Sequence, residues 1–440
     1  MRDPAASLRF EADQVVRSLY QPLPDTHFLH SELAVRWASS GLLVPFEWQG
    51  EMQVASRRLS FVSQPSEWTD AQLFAAAKLT LELQLEAVDA GFDLKDASAW
   101  NVIFDGCRPV FCDLLSFETL TGRQWWAFGQ YARHFLLPLL VSQRAGLRAR
   151  ECFSIWRDGI PPDTARGLLG WTALMTRYGL LLAGQKREAH SSVVFAEADE
   201  GQSRDVVQGF RRKLHAALEW QLRGVEPVTK HGHGWAGYEQ DRPHYAGASL
   251  ARKRELVAEW LARLAPRWVL DLGCNTGEFT RLALTTGASV IALDADHDSV
   301  QQLFLTHSGN ARLHPLVAPL DDLRSSRGWA GREHPGLDQR LEGCADVVLM
   351  LALIHHLAIG SAIPLEEVAR FAYRCTSRAL VVELLEADDP QLIALCRQRR
   401  RAPEEFGLAR QRAAFLAAGF VIAEEHRLEG AARSLLLLEK

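Results

Sequence analysis

The second half of the chain alternates between short apolar runs and amphipathic segments, and no other feature constrains its fold as strongly. A helix predicted over residues 250–264 leads into a strand predicted over 268–272. The further strands predicted in this half cover residues 289–293, 345–351 and 379–384. Strands that alternate with helices form a parallel sheet with helices on both faces. The sequence therefore predicts an α/β domain built on a doubly wound sheet.

The end of the chain departs from this alternation. A helix predicted over residues 410–418 is followed by two strands predicted over 420–424 and 434–439. Because no helix separates these two strands, we expect an antiparallel hairpin that closes one edge of the sheet. The whole order matches the doubly wound sheet whose ligand site lies at the carboxyl ends of the strands.

A loop between the first strand and the next helix carries two glycines after an acidic residue. The sequence VLDLGCNTGEFTRLA, residues 269–283, includes Asp271 in the strand. Glycine lets the backbone of such a loop approach a ligand without a side chain between them. The carboxylate of Asp271 would repel a pyrophosphate but suits a cationic amino group. The loop residues predicted to bind this ligand are Gly273, Cys274, Asn275 and Gly277.

Further acidic residues follow the next two strands. Asp294 ends the second strand, 17 residues beyond Gly277, where a carboxylate can accept both hydroxyls of a ribose. The sequence PLDDL then places Asp321 and Asp322 near the expected end of a third strand. An acidic residue there can hold the amino group of an adenine, and the sequence does not choose between the two.

The glycine loop, these acidic residues and the closing hairpin occur in one order over about residues 250–440. This ordered set resembles the class I methyltransferases that depend on S-adenosylmethionine (SAM). The resemblance implies a Rossmann-like fold, SAM as the cofactor, and methyl transfer. Our first hypothesis for the acceptor is a hydroxyl or similar nucleophile of a small molecule or saccharide. The alternative is a related nucleotide-binding domain without methyl transfer.

Two adjacent histidines follow the strand predicted over residues 345–351, where an acceptor would meet the methyl group. His355 is the predicted catalytic residue, as a general base. A cap of the next helix or packing against adenine is the open alternative for His355, and His356 is interpreted as structural. Glu383, at the end of the next strand, is a second candidate for acceptor contact. The candidates for a lid over the cofactor are Tyr238, Tyr245 and Lys253.

The first half of the chain carries a different pattern, in GFDLKDASAWNVIFDGCRPVFCDLLSFE, residues 91–118. Asp96 is followed five residues later by Asn101, and a predicted hairpin then leads to Asp113. This segment resembles the catalytic segment of aminoglycoside-phosphotransferase-like and protein-kinase-like folds. The resemblance implies an α+β domain in which Asp96 orients a hydroxyl while Asn101 and Asp113 hold magnesium with ATP.

The residues that would bind ATP phosphates depart from this pattern. Leu94 stands where the usual histidine precedes the first aspartate, and no glycine-rich loop occurs upstream. The first lysine of the chain, Lys78, falls in a helix predicted over residues 70–90, which leaves Arg57 or Arg58 as a replacement with different geometry and reach. We therefore interpret this half as a degenerate kinase-like domain that binds a substrate or partner. An active small-molecule kinase and a coincidental hairpin are the alternatives.

A kinase-like half followed by a methyltransferase half is similar to uncharacterised bacterial methyltransferases, including nodulation-related ones. The first hypothesis for function is a SAM-dependent methyltransferase. The second is a bifunctional kinase–methyltransferase that also uses Mg-ATP. The third is a non-catalytic protein that binds SAM as a ligand.

Glycine and proline mark a break between the two halves. With 440 residues the chain is long enough for two domains. The sequence predicts a kinase-like domain over residues 1–223, a linker over 224–248 and a methyltransferase domain over 249–440. The HGHG sequence at 231–234 has no cysteine or carboxylate at ligand spacing, so we predict no metal there.

Charge and hydropathy limit the remaining classes of partner. A net charge of -5 gives no indication of a nucleic-acid partner. The basic run RQRRR, residues 397–401, is interpreted as a solvated helix face, with contact to an anionic substrate as the alternative. No apolar secretory signal opens the sequence, and the longest apolar run, 347–354, is too short to span a bilayer. Seven cysteines fit a reducing compartment, so we expect a cytoplasmic protein.

Overall fold

A computed structural model describes residues 5–183, 203–228 and 247–440 of the chain. The chain divides into two units, Met1–Val228 and Thr229–Lys440, each with its own sheets. Residues 229–246 of the predicted linker lie outside the described residues. The same holds for the HGHG sequence and for the lid candidates Tyr238 and Tyr245.

The N-terminal unit begins with a four-stranded antiparallel sheet in the order β1-β2-β4-β3. In two smaller sheets, β5 pairs with β8 and β6 pairs with β7. The strands are β1 (Ala6–Phe10), β2 (Gln14–Leu19), β3 (Phe46–Trp48), β4 (Gln53–Arg57), β5 (Phe92–Leu94), β6 (Val102–Asp105), β7 (Arg108–Phe111) and β8 (Phe117–Thr119). The α-helices described are α1 (Glu32–Ser40), α2 (Asp70–Ala90), α3 (Phe128–Tyr131), α4 (Leu137–Ala145), α5 (Ala149–Ile155), α6 (Pro162–Leu169), α7 (Gly179–Leu182) and α8 (Arg204–Arg223).

Helix α2 is the longest helix described in this unit, and local signals set both of its ends. The Thr69 hydroxyl accepts the Gln72 N–H at 3.1 Å, and the Gln72 side chain accepts the Thr69 N–H at 2.9 Å. This reciprocal pair satisfies backbone donors that the first turn of a helix leaves free. Gly91 ends the helix with φ of 92°, a conformation that glycine adopts without strain. The helix predicted from residue 70 to residue 90 is confirmed.

The hairpin predicted between Asn101 and Asp113 is also confirmed, since β6 and β7 pair from Val102 and Phe111 to Asp105 and Arg108. Residues 125–140 also have a helical pattern in the sequence, and the helix predicted there is wrong in its bounds. It begins at Phe128 and widens into a π-turn at Ala132–Leu136 before α4. Pro138 lies in the first turn of α4 and has no N–H to donate to the preceding turn, which accounts for the break in the regular helix.

The C-terminal unit is built on a seven-stranded sheet in the order β11-β10-β9-β12-β13-β15-β14. The strands are β9 (Trp268–Leu272), β10 (Ser289–Asp294), β11 (Leu313–Val317), β12 (Ala345–Met350), β13 (Thr376–Leu385), β14 (Val421–Leu428) and β15 (Arg433–Glu439). The first five are parallel, and β15 runs antiparallel between β13 and β14. The α-helices described are α9 (Gly247–Leu264), α10 (Glu278–Thr285), α11 (His297–Thr306), α12 (Leu337–Leu341), α13 (Leu365–Cys375), α14 (Pro390–Arg399) and α15 (Leu408–Ala417).

The inner strands of this sheet are buried on both faces. Residues Val290, Ile291, Ala292 and Leu293 follow one another in β10, and each is at most 1% exposed. Because successive side chains of a strand point to opposite faces, both faces of the sheet are covered. Strand β11 holds a proline, Pro315, which the outermost position tolerates because one side of an edge strand needs no ladder hydrogen bonds.

The predicted α/β alternation is therefore present, with strand ends shifted by a few residues. Strand β9 has the predicted bounds, and β13 extends from Thr376 to Leu385 where residues 379–384 were expected. The closing hairpin forms, but its second strand lies inside the sheet and its first strand forms the edge. No described helix is both long and apolar enough to cross a membrane.

Candidate functional site

A cavity of about 470 Å³ opens at the carboxyl ends of the parallel strands. Its lining includes loop residues that follow β9, β10, β11 and β12. Chain order reverses between β9 and β12, and the crevice at such a switch point is where open α/β sheets bind ligands. The lining residues that carry polar groups relevant to binding are Lys253, Asp271, Asn275, Asp294, Asp321, His356 and Ser361.

The two glycines of the first loop have different roles. Gly273 lines the cavity with φ of 75°, and an added Cβ would lie 3.3 Å from Leu353. Gly277 also has a positive φ, 90°, but is not among the described lining residues. A Cβ on Gly277 would lie 2.5 Å from Cδ1 of Leu303 in α11, so this glycine lets two helices approach. Gly273 is therefore placed where the backbone can approach a ligand, as predicted. Gly277 instead serves the packing of α10 against α11.

Asp271 lies at the floor of the cavity and is almost fully buried. Its carboxylate accepts a hydrogen bond of 2.6 Å from the hydroxyl of Thr280, one turn into α10. Burial raises the pKa of Asp271 to about 6, and the negative charge of Asp294 acts in the same direction. A cation bound beside Asp271 would relieve this cost, because opposite charge favours the ionised carboxyl.

Asp294 ends β10, as predicted, and the backbone fixes its carboxylate. One oxygen accepts the N–H of Asn275 at 2.8 Å, and the other accepts the N–H of Asp296 at 2.8 Å. Burial raises the pKa of Asp294 from its usual range. The side chain joins the glycine loop to the end of the neighbouring strand and presents an oriented acceptor to the cavity.

The two downstream acids differ in position. Asp321 lines the cavity and accepts a hydrogen bond of 2.6 Å from the hydroxyl of Ser361. Asp322 is exposed and does not belong to the described lining. Of the pair that the sequence left open, Asp321 is the one that can reach a ligand in this cavity.

The two histidines are also separated by the structure. His355 is 2% exposed, lies outside the described lining, and neither of its ring nitrogens has a hydrogen-bond partner among the described residues. His356 lines the cavity, and its ring centroid lies 4.2 Å from that of His355. Burial lowers the pKa of both histidines, with the charge of Arg433 acting in the same direction. At neutral pH both imidazoles are therefore neutral.

A buried ionic network borders the cavity, and the sequence did not predict it. The Lys253 ammonium donates to the Glu383 carboxylate at 2.6 Å, and the other oxygen of Glu383 lies 3.4 Å from the Arg433 guanidinium. Arg433 also pairs with Asp389 at 2.7 Å and with the Gln391 side chain at 2.8 Å. Lys253 is thus part of a buried network, which contradicts the interpretation of this residue as a lid. The one signal in the sequence was an acid inside the apolar strand ALVVELL.

In the N-terminal unit the predicted Asp96, Asn101 and Asp113 come together. The Asn101 side-chain amide donates to the Asp96 carbonyl at 3.1 Å and to the Ser116 hydroxyl at 3.4 Å. That hydroxyl donates in turn to the Asp113 carboxylate at 2.6 Å. Burial raises the pKa of Asp96, and the charge of Asp113 adds to the shift. No cluster of three or more His, Cys, Asp or Glu side chains suited to a metal occurs among the described residues of either unit.

A buried arginine that the sequence did not single out contacts the residue before Asp113. Arg17, in β2, is buried and donates to the carbonyl of Cys112 at 2.6 Å, one residue before Asp113. Arg57 and Arg58 are exposed and bind Asp105 and the Glu11 carbonyl. The structure therefore favours Arg17 over the predicted Arg57 or Arg58 as the replacement for the missing lysine.

The basic run at residues 397–401 ends α14 and is exposed, as predicted. The Arg399 guanidinium donates to the Gly360 carbonyl, next to Ser361 of the cavity lining, while Arg401 pairs with Glu405. Arginines at a helix C-terminus interact favourably with its exposed carbonyls, which accounts for the position of Arg397 and Arg399 in the last turn.

Comparison with known proteins finds similarity at modest levels, and no model of a known protein family matches the chain. The chain is 27% identical over 457 residues to nodulation protein NoeA of Rhizobium meliloti (strain 1021), which covers 100% of this chain and 95% of that protein. It is 16% identical, with a TM-score of 0.31, to the SAM-bound structure of magnesium protoporphyrin IX methyltransferase from Synechocystis PCC 6803, over 44% of this chain and 80% of that one. An S-adenosylmethionine-dependent methyltransferase from Mesorhizobium loti is 16% identical with a TM-score of 0.30, over 42% of this chain and 100% of that one.

Proposed function

We propose that the C-terminal unit binds SAM and transfers the methyl group to a hydroxyl or similar nucleophile of a small-molecule or saccharide acceptor. One observation carries the proposal, namely the order of carboxylates along the edge of the sheet. Asp321 follows β11, Asp294 ends β10 and Asp271 lies in β9. The adenine, the ribose and the methionine part follow one another in SAM, so the three carboxylates match these parts in the same order.

The chemistry of these side chains fits each part of the cofactor. Asp294 is held by two backbone N–H groups and can accept both ribose hydroxyls. Asp271 suits the amino group of the methionine part and disfavours a pyrophosphate. The cavity volume of about 470 Å³ lies within the range of small-molecule sites. Asp321 is the residue of its pair proposed to bind the adenine amino group.

SAM supplies a methyl group bonded to a positively charged sulfur, which an acceptor oxygen or nitrogen can attack. The contribution of the chain is to hold the acceptor in line and to exclude water. His356 lines the cavity as a neutral imidazole, so it can accept the proton that an acceptor hydroxyl loses. We therefore propose His356 as the general base in place of His355, which packs behind it.

Isothermal titration of the full chain with S-adenosylhomocysteine tests the proposal. We expect binding in the micromolar range, and no binding would overturn the assignment of the cavity. Turnover of SAM in the presence of cell extract then separates an enzyme from a protein that only binds SAM. A protein that binds S-adenosylhomocysteine but never consumes SAM with any extract fraction would support the non-catalytic alternative.

The raised pKa of Asp271 predicts a pH dependence of cofactor binding. The amino group of the ligand pairs with the ionised carboxylate, which predominates above pH of about 6 in the free protein. Affinity for S-adenosylhomocysteine should therefore be constant above this pH and fall about tenfold per pH unit below it. Titrations between pH 5 and pH 8 measure the effect, because this range spans the pKa of about 6.

5′-Methylthioadenosine provides the control for this experiment. It keeps the adenosine part of the ligand and lacks the amino group of the methionine part. The pKa of Asp294 is also raised, and both ligands depend on Asp294 equally. The ratio of the two affinities therefore isolates Asp271. A ratio that does not change with pH would contradict the pairing of Asp271 with the amino group.

A second candidate function is a kinase-like activity of the N-terminal unit with Mg-ATP. The observation that favours it is a chain of hydrogen bonds, in which the Asn101 amide donates to the Asp96 carbonyl and to the Ser116 hydroxyl, and that hydroxyl donates to Asp113. The side chains match the Asp, Asn and Asp set that binds magnesium and orients a hydroxyl in kinases. The buried Arg17, which donates to the Cys112 carbonyl, is a candidate for the cation that replaces the missing lysine.

We predict that millimolar Mg-ATP raises the melting temperature of the wild-type protein and that Asp113→Ala abolishes this shift. Occupancy at 100 times Kd stabilises by about 2.7 kcal/mol, which corresponds to several degrees for a domain of this size. The shift caused by S-adenosylhomocysteine serves as the control and should survive in Asp113→Ala. No shift with ATP in the wild type would remove this candidate.

A further inference from the structure

The basic segment, residues 397–401, has no part in the cofactor site proposed above. It carries four arginines, all exposed, and only two acids follow it closely, Glu404 and Glu405. Arg401 pairs with Glu405. The side chains of Arg397 and Arg400 make no hydrogen bond or ion pair within the part of the chain that the structure describes. Two cationic side chains are therefore available to an anion.

The end of α14 brings these two arginines together. The Arg400 N–H donates to the Arg397 carbonyl at 3.3 Å, and side chains three positions apart are neighbours on a helix surface. Like charges this close repel each other, and an anion bound between them relieves the repulsion. Arg400 also has a φ of 52°, in the left-handed region that favours glycine. The helix end by itself would therefore favour glycine, and not a cation, at residue 400.

The basic segment borders the cavity. Helix α14 packs against the π-turn His356–Gly360, which follows β12. The Arg399 guanidinium donates to the Gly360 carbonyl, and the next residue, Ser361, lines the cavity. At the other end of the same turn, His356 also lines the cavity. The basic segment therefore lies at the rim, beside the turn that carries the proposed general base.

The interior of the cavity has the opposite charge. The charged side chains of its described lining are five carboxylates and one ammonium, namely Asp271, Glu278, Asp294, Asp296, Asp321 and Lys253. The ammonium of Lys253 pairs with Glu383. SAM has a net positive charge, so this lining suits the cofactor and repels an acceptor with a net negative charge. An anionic group on the acceptor would therefore be bound favourably at the rim and not inside.

We infer that the basic segment binds an anionic group of the methyl acceptor, a phosphate or a carboxylate, through Arg397 and Arg400. This inference rests on the proposed function and narrows its acceptor to a molecule with a neutral nucleophile at one end and an anionic group at the other. A guanidinium suits both anions because it can donate two parallel N–H bonds to their oxygens. Arg399 holds the segment against the π-turn and is a positioning residue.

Modification of arginines by phenylglyoxal, followed by mass spectrometry of peptides, tests the anion site one residue at a time. The full chain is modified in phosphate, in acetate and in chloride at one ionic strength. Two charged hydrogen bonds correspond to a Kd of about 1 mM, so about 10 mM of the bound anion should slow modification of Arg397 and Arg400 about tenfold relative to chloride. Protection by phosphate or by acetate identifies which anionic group the site prefers.

Arg427 is the internal control in the same sample. It is exposed on β14, and its side chain likewise has no partner among the described residues. Its rate of modification should be the same in all three solutions. Equal rates for Arg397 and Arg400 in all three solutions would overturn the anion site, whether or not the protein binds SAM.

A double variant, Arg397→Met with Arg400→Gly, tests the role of this site in acceptor binding. Glycine suits the left-handed conformation of residue 400, so the fold should be kept. Affinity for S-adenosylhomocysteine should stay within about twofold of the wild type, because neither residue belongs to the described lining. Turnover of SAM with a limiting amount of cell extract should fall at least about tenfold, as expected for the loss of a charged hydrogen bond.

Arg427→Met is the matched variant and should resemble the wild type in both measurements. Unchanged turnover in the double variant would overturn the role of the basic segment in acceptor binding. If the wild type does not bind S-adenosylhomocysteine, or does not consume SAM with any extract fraction, the proposed function is overturned instead.

Discussion

Changing Asp271 to asparagine is expected to weaken S-adenosylhomocysteine binding at least about 100-fold, because a buried cation would lose its counter-charge. The carbonyl of an asparagine can still accept the hydroxyl of Thr280, now 2.6 Å from the carboxylate. Burial raises the pKa of Asp271 to about 6, so ionisation of this carboxyl costs more free energy in the folded protein without ligand than in the unfolded chain. Removing that charge should therefore leave the fold intact at neutral pH.

Isothermal titration gives the affinity, and circular dichroism of the same sample reports the fold. Asp322→Asn is the matched control, since it makes the same change one residue beyond Asp321 at an exposed position outside the described lining. Its affinity should stay within about twofold of the wild type, as expected for a surface substitution. Unchanged affinity in Asp271→Asn would remove this residue from the cofactor site.

The second large effect concerns stability. Arg433→Met should destabilise the C-terminal unit by about 3–5 kcal/mol, because it leaves the buried Asp389 without its arginine and Glu383 with Lys253 alone. Arg433 is fully buried, and its guanidinium pairs with Asp389 at 2.7 Å and with Glu383 at 3.4 Å. Methionine fills a similar volume, so the loss comes from charge rather than from a cavity.

Hydrogen–deuterium exchange of peptides from β13 and β15 measures this effect, because it reports opening of the C-terminal sheet separately from the N-terminal unit. Exchange in Arg433→Met should be faster by a factor of about 100 or more. Arg427→Met, at an exposed position of the neighbouring strand β14, should change it little. Equal exchange in the two variants would show that the buried network contributes no stability.

Local signals in the sequence account for what could be predicted of the fold. Strand β9 was placed to the residue because an apolar run ends at a glycine. Helix α2 was placed because a capping box and a glycine mark its ends. Strand β11 was not located, because LHPLV combines a histidine and a proline and has no alternation of apolar and polar residues.

The parts of the site that could not be predicted depend on contacts between distant residues. Lys253 and Glu383 are 130 positions apart, and no spacing rule joins them. Which of two adjacent residues faces a cavity depends on the angle at which a turn leaves its strand, which separates Asp321 from Asp322 and His356 from His355. A π-turn begins at His356, and no residue pattern in the sequence predicts that irregular geometry.

The antiparallel insertion of β15 between β13 and β14 has a consequence for how the sheet is assembled. Strand β14 precedes β15 in the chain but pairs only with β15, so the edge of β13 stays open until the later strand arrives. Arg433 enters with that strand, opposite Leu385, and neutralises Glu383 and Asp389. A slip of one residue would turn the arginine to the other face, which would leave Asp389 without its arginine and Glu383 with Lys253 alone. The ion pairs of Arg433 therefore favour the native register of β15 over registers shifted by one residue.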